Sequence, residues 1–101
     1  MSGTDELVAL LQKGDIDGFN EKRRNRGRIE MFAVDLSGLT LTGADLSGIV
    51  MEKADLSGAD LTDTILARTD LSGADLSETR LTGAMGIQLR LRDAWIEDTI
   101  F

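Results

Sequence analysis

The hydrophobic residues of this chain recur at every fifth position from about Ile29 to the last residue. Fourteen of the fifteen positions on this period hold a large apolar side chain, and Gly86 is the exception. A second set, made of apolar residues and Thr, stands two positions earlier in each unit. The first set comprises Met31, Leu36, Leu41, Leu46, Met51, Leu56, Leu61, Leu66, Leu71, Leu76, Leu81, Leu91, Ile96 and Phe101, with Gly86 at its one break.

A period of five fits neither an α-helix nor a flat strand. In a helix, five residues advance about 140° beyond a full turn, so the apolar side chains would spiral around the axis. In a strand, an odd period puts successive apolar residues on opposite faces. The period therefore predicts a chain that turns a corner after each unit and stacks its coils at about the 4.8 Å strand spacing.

The polar positions agree with such corners. Asp commonly precedes the central apolar residue, Ser or Thr follows it and Gly comes next, and these residues are typical of tight turns. The units ADLSG (44–48 and 54–58), ADLTD (59–63) and ADLSE (74–78) resemble the pentapeptide-repeat family. The resemblance implies an all-β solenoid, a right-handed quadrilateral β-helix with four units per coil. Residues 29–101 would form roughly 3.5 coils.

Residues 1–28 lack the period and predict a helical cap with a basic junction, ahead of a solenoid domain over 29–101. Thr4 is expected to cap a first helix that ends before Gly14, and Asp15 a second that stops near Gly27. The apolar side chains expected to lie over the first coil are Leu7, Leu10, Leu11, Ile16 and Phe19.

The last coil predicts an interaction surface. No comparable cover follows it, and Trp95 and Ile100 stand at the outward position that Asp holds in earlier coils. Exposed apolar ends are association sites by default, so we expect a homodimer through this end; in the alternative, Trp95 folds over the open end. The expected interface comprises Leu91, Trp95, Ile96, Ile100 and Phe101. A possible side patch comprises Ile65, Met85 and Ile87.

The residue types present exclude several kinds of chemistry. The chain has no Cys and no His, so it has neither a thiol nucleophile nor a His-based triad, and no ordinary zinc or haem site. We expect no catalytic residue, no cofactor and no bound metal, and we interpret the recurring Asp residues as solvated repeat positions. We interpret the basic run 22–28 as a solvated junction between the cap and the solenoid. The alternatives are that it contacts an acidic partner, phosphate or the chain's own acidic solenoid.

Charge and hydropathy bear on partners and location. Residues 29–101 hold thirteen acidic against five basic residues, and such a body repels nucleic acid, so direct nucleic-acid binding is not expected. No apolar run is long enough for a membrane span and no basic segment of a signal peptide is present, which predicts a soluble, cytoplasmic protein.

The sequence therefore favours a non-enzymatic scaffold that dimerises and binds an unidentified protein. The family resemblance adds an alternative, because some pentapeptide-repeat proteins modulate or protect DNA gyrase or topoisomerase by resembling duplex DNA as acidic rods. The acidic body fits this alternative, whereas the short chain argues against it.

Overall fold

The computed structural model describes residues 3–101 as two short helices followed by a solenoid. The helices are α1 (Gly3–Gln12) and α2 (Ile16–Arg23). From Glu30 onward, every fifth residue forms a parallel bridge with the residue twenty positions further along. Four five-residue units therefore make one coil.

The pairing differs from the expected all-β architecture in one respect. Within residues 3–101, each paired segment is an isolated bridge of one residue, and no longer strand forms. The reason is that two turn residues follow each inward residue, so the chain leaves the pairing direction before a strand can extend.

Backbone hydrogen bonds join each coil to both of its neighbours. In the unit around Leu56, the amides of Leu56 and Gly58 donate to the carbonyls of Asp75 and Ser77 in the next coil, both at 2.9 Å. The amide of Asp55 donates to the carbonyl of Val34 in the preceding coil at 2.8 Å. Each interior coil therefore satisfies its polar backbone through the coils above and below it.

Each corner is a β-turn whose third residue has a positive φ. The Leu56 carbonyl accepts from the Ala59 amide at 3.0 Å, and Gly58 between them has φ 69°. Gly adopts this conformation without steric cost, which explains its recurrence. Lys53 and Arg68 adopt φ near 60° at the same position, where a side chain costs roughly 1–2 kcal/mol, so the coil geometry overrides local preference.

The solenoid interior is a stack of apolar side chains. Leu36, Leu56 and Leu76 lie one above another twenty residues apart, and all are fully buried. Burying each such side chain stabilises the fold by about 1.5–3 kcal/mol. The buried Thr69 and Thr79 donate their hydroxyls to the carbonyls of Leu46 and Leu56, so Thr fits this interior without an unpaired oxygen.

The helices differ from expectation at two of their ends. Because α1 begins at Gly3, Thr4 lies in its first turn and is not its cap. α2 ends at Arg23, short of Gly27, and the left-handed residue beyond it is Asn25 with φ 59°. Gly14 follows α1 with φ 82°, and Asp15 caps α2 by accepting a hydrogen bond from the Gly18 amide at 2.9 Å.

Both helices pack on the first coil. Leu7, Leu11 and Phe19 are fully buried in the same apolar cluster as the solenoid leucines. Leu10 and Ile16 are partly buried against that cluster.

Side chains of α2 hydrogen-bond the backbone edge of the first coil. Arg23 donates to the carbonyls of Asp45 and Ser47 at 2.9 and 2.8 Å, and its guanidinium lies 3.3 Å from the Asp45 carboxylate. Asn20 accepts from the Asp45 amide at 2.8 Å and donates to the Gly43 carbonyl at 3.1 Å. These bonds take the place of a preceding coil along this side.

The residues of the basic run therefore make two kinds of contact, one with the backbone of the solenoid and one with nearby carboxylates. Arg23 binds the protein's own solenoid, which is one of the three alternatives left open by the sequence. Arg24 is exposed and pairs with Glu21 at 3.4 Å, and Lys22 pairs with Glu6 at 2.6 Å. The Lys22 ammonium, which hydrogen-bonds Glu6, lowers the pKa of that carboxyl.

Arg23→Met should lower the free energy of unfolding by about 1–3 kcal/mol, because it leaves the carbonyls of Asp45 and Ser47 without their donor. Arg24→Met, one position away on a pair exposed to solvent, should change it by less than about 0.5 kcal/mol. Urea unfolding at pH 7 measures both. Equal losses in the two variants would contradict the proposed pairing of α2 with the coil edge.

Several corners are stabilised by hydrogen bonds to an Asp carboxylate. The Ser77 amide and hydroxyl donate to Asp75 Oδ1 at 2.9 and 2.6 Å. The Ser77 hydroxyl, with the Ser77 amide second, lowers the pKa of Asp75. A lowered pKa means that the folded state favours the carboxylate, so this stabilisation is present above the unfolded-state pKa near 3.9 and is lost as pH falls through the folded-state pKa.

Ser77→Ala should therefore destabilise the protein by about 1 kcal/mol at pH 7, and the difference from wild type should shrink toward pH 2. Thr82→Ala is the matched control, because Thr82 occupies the same turn position in a unit where Arg80 replaces the Asp. Unfolding by urea across this pH range measures both differences. A Ser77→Ala effect as independent of pH as that of Thr82→Ala would refute the carboxylate role.

A candidate interaction surface on the last coil

The outward bridging residues of the solenoid form columns along its sides. One column runs Asp35, Asp55, Asp75 and Trp95 through successive bridges. Another ends with Arg80 bridged to Ile100. Trp95 and Ile100 therefore replace polar residues only when the chain reaches its last coil.

The last coil exposes a group of large apolar side chains. The exposed fractions are 61% for Trp95, 49% for Ile96, 51% for Ile100 and 71% for Phe101. Leu91 is only partly buried, whereas its counterpart one coil earlier, Leu71, is fully buried. The structure thus brings all five residues of the expected interface onto one coil.

The backbone of this coil carries unsatisfied donors. One coil earlier, the amides of Leu71 and Gly73 donate to the carbonyls of Arg90 and Arg92, both at 2.8 Å. The corresponding amides of Leu91 and Asp93 have no backbone acceptor within residues 3–101. The same holds, across the described chain, for the amides of Gly86, Gln88, Ile96 and Asp98. An edge with free donors beside apolar side chains is suited to pairing with another polypeptide.

Gly86 opens a cavity at this end of the core. Its inward column reads Leu46, Leu66 and then Gly86, so the third side chain is missing. The cavity has a volume of about 260 Å³ and is lined by Leu66, Leu81, Gly83, Ala84, Gly86, Leu89 and Phe101. The break in the sequence period thus produces an apolar hollow that opens toward the exposed edge.

The residues of the possible side patch lie in two successive coils, with Ile65 in one coil and Met85 and Ile87 in the next. Ile65 bridges to Met85, so these two residues are neighbours in adjacent coils. Met85 and Ile87 are 55% and 74% exposed, whereas Ile65 is only partly exposed. Met85 and Ile87 therefore lie closer to the exposed edge than Ile65 does.

A third exposed aromatic residue, Phe32, lies at the other end of the solenoid and is not among the site residues expected from the sequence. Phe32 is 64% exposed, and the Lys53 ammonium stands 5.8 Å from its ring centroid, a cation–π distance. It borders a hollow of about 590 Å³ between α1 and the first coil, lined by Thr4, Asp5, Val8, Gln12, Glu30, Met31, Phe32 and Val34. The available signal was a Phe at the turn position that usually holds Ser or Thr.

The Asp side chains that precede the inward residue of the regular units have hydrogen-bond partners in the following turn. Hydrogen bonds from Ser37 and Thr62 lower the pKa of Asp35 and Asp60, as Ser77 does for Asp75. These groups are carboxylates that fasten corners, which agrees with their interpretation as repeat positions. Of the helices in residues 3–101, neither α1 nor α2 has the length and apolar character needed to cross a membrane.

Comparisons with known proteins agree on one family. The family model of pentapeptide repeats matches residues 30–66 and 64–101, with eight copies of the repeat. No curated protein matches the chain. Among solved structures, the chain is similar to a pentapeptide repeat protein from the cyanobacterium Cyanothece 51142, with a TM-score of 0.55 and 21% identity.

The similarity to that structure covers 73% of this chain and 61% of the other, so the chain spans less than two thirds of that protein's length. At this level of identity the likeness shows the fold. Pentapeptide-repeat proteins are right-handed β-helix solenoids and are generally non-enzymatic structural modules. Since the two matches of the family model together cover residues 30–101 without a gap, the chain belongs to the pentapeptide-repeat family.

Proposed function

We propose that the protein is a non-enzymatic scaffold that forms a homodimer through the exposed edge of its last coil and presents the sides of the solenoid to a protein partner in the cytoplasm. Residues 1–28 serve as its cap and residues 29–101 as a quadrilateral solenoid of roughly 3.5 coils. One observation supports the proposal above others: exposed apolar side chains and unpaired amides occur together on the last coil.

The size of the edge sets the expected affinity. The two shorter extents of the molecule are 23 and 22 Å, so an end-to-end contact would bury roughly 500 Å² per copy, at the low end of specific interfaces. Contacts of this size are commonly weak, and we expect a dissociation constant in the micromolar range. Trp95 is the expected main contributor, because buried Trp residues dominate interface energies.

Trp95→Asp should weaken the dimer about 30-fold or more, as expected for removal of an interface Trp and introduction of a charge. The fold should persist, because this change continues the Asp35–Asp55–Asp75 column into the last coil. Sedimentation equilibrium at tens of micromolar measures the mass. Ile65→Asp is the control: it also places Asp at a bridging position, but one coil below the edge, and should leave the dimer intact.

Two results would contradict the proposal. The first is a wild-type chain that stays monomeric at these concentrations. The second is loss of the dimer in Ile65→Asp with retention in Trp95→Asp, which would move the interface to the side patch.

A second candidate function is a DNA-mimicking modulator or protector of DNA gyrase or topoisomerase. It is favoured by the acidic column Asp35, Asp55 and Asp75, which lines one side of the solenoid. An end-to-end dimer would place two such columns on one longer rod. The column is short, because Trp95 follows it in the last coil, and we therefore rank this function second.

A DNA gyrase supercoiling assay tests the second candidate. If the protein mimics DNA, it should inhibit supercoiling or protect the enzyme from poisons. Asp55→Asn combined with Asp75→Asn should reduce the effect, because the variant loses two negative charges of the column. Absence of any effect of the wild-type protein at tens of micromolar would remove this candidate.

A further inference from the structure

We propose that the hollow between α1 and the Glu30 unit of the first coil, residues 29–33, binds an arginine side chain of a basic protein partner. The hollow lies at the end of the solenoid opposite to the last coil, so the inference does not depend on the homodimer proposed above. It states the chemistry of a partner, namely a polypeptide segment in which an arginine is flanked by apolar residues.

The site that Arg23 occupies on the same coil shows what such an arginine would bind. Arg23 Nη1 donates to the carbonyls of Asp45 and Ser47 at 2.9 and 2.8 Å and lies 3.3 Å from the Asp45 carboxylate. Asp45 is the bridging residue of its unit, and Ser47 is the first of the two turn residues that follow. A guanidinium can therefore bind two carbonyls of one unit, two residues apart, together with the carboxylate beside them.

The Glu30 unit presents the same groups without a donor. Glu30 is a bridging residue like Asp45, and Phe32 is a first turn residue like Ser47. The turns also match, because the residues that follow Phe32 and Ser47 have φ 56° and 68°. Within residues 3–101, neither the Glu30 carbonyl nor the Phe32 carbonyl accepts a hydrogen bond. This unit therefore offers two free acceptors in the arrangement that Arg23 uses elsewhere.

The repeat fixes the direction in which these carbonyls point. In the next coil, the Val50 carbonyl, which is equivalent to that of Glu30, accepts from the Met31 amide of the coil before it at 2.7 Å. The carbonyls of Glu30 and Phe32 therefore point to the side on which a preceding coil would lie. On that side α1 leaves a hollow of about 590 Å³, a volume within the range of ligand sites.

The charges and walls of the hollow suit an arginine side chain. Glu30 and Asp5 line it, and none of its described lining residues is basic. Asp5 lies in the first turn of α1, where its carboxylate offsets the positive end of the helix dipole. Val8, Val34 and the buried Met31 form apolar walls. The methylene groups of an arginine pack well on such walls while its charged end reaches polar groups.

Phe32 favours arginine among the basic residues. Its ring is 64% exposed and borders the hollow, and a planar guanidinium stacks on an aromatic ring while it donates several hydrogen bonds. The Glu30 carboxylate already accepts from Arg28 at 3.2 Å, in a pair whose side chains are both exposed. Such a pair contributes little, so an arginine that also reaches the two carbonyls can replace Arg28 there.

A short peptide tests the site directly. The probe acetyl-Leu-Arg-Leu-amide is added to isotope-labelled protein, and the backbone amide shifts are followed by NMR spectroscopy. We expect saturable shifts at the amides of Met31, Phe32 and Ala33, with a dissociation constant of about 1 mM for so small a ligand. The same peptide with citrulline in place of arginine keeps the shape without the charge and should bind about 10-fold more weakly. A lysine peptide should bind about 3-fold more weakly, because an ammonium lacks the planar donor group.

Two matched variants locate the contact. Phe32→Ser gives this turn the residue that Ser37 and Ser47 provide in the same coil, so the fold should persist while the arginine peptide binds about 5-fold more weakly. Ile87→Ser is the control, because Ile87 is an exposed apolar residue at the equivalent turn position far from the hollow, and it should leave binding unchanged.

Three results would overturn the inference. The first is an arginine peptide that shifts no amide of the Glu30 unit, or that shifts only amides of the last coil. The second is a citrulline or lysine peptide that binds as tightly as the arginine peptide. The third is equal weakening by Phe32→Ser and Ile87→Ser. None of these results changes the mass of the wild-type protein in sedimentation equilibrium, so the inference and the proposed homodimer can fail separately.

Discussion

The whole structure depends on backbone hydrogen bonds between coils. Every interior unit sends two amides to the next coil and one to the preceding coil, so no interior coil is satisfied on its own. Buried backbone groups are almost always paired, and the apolar interior removes water that would otherwise pair them. The stacked leucines and the hydrogen bonds between coils therefore stabilise each other. A coil at either end of the described solenoid has backbone amides or carbonyls with no neighbouring coil to pair with.

The two ends meet this constraint in different ways. At the first coil, Arg23 and Asn20 from α2 supply, along the Asp45 side, the donors and the acceptor that a preceding coil would have supplied. Arginine suits this role because its guanidinium carries several donors in one plane. At the last coil, amides such as those of Leu91 and Asp93 find no such partner within residues 3–101. The same coil exposes Trp95 and Phe101, so exposed apolar side chains and amides without a backbone acceptor occur together there.

The regular middle of the solenoid serves as a scaffold, and its chemistry is that of its corners. Asp75 with Ser77 shows the pattern: a carboxylate accepts from the amide and hydroxyl that follow it and holds the turn. This accounts for the recurring Asp residues of the regular units as groups that stabilise corners.

The corners and the inward apolar columns were predictable from the sequence, because a five-residue period of Leu and Met keeps every apolar side chain inward only if the chain turns after each unit, whereas the resemblance to the family implied four units per coil. The family match, the buried leucine columns and the coil of twenty residues agree with that reading. The outward position of Trp95 was also readable, since its place in the unit is that of Asp. The tertiary structure alone decided that α2 stops at Arg23, that Arg23 binds Asp45 and Ser47 and that Phe32 borders a hollow. These features depend on residues distant along the chain meeting in space, and a local period carries no information about such meetings.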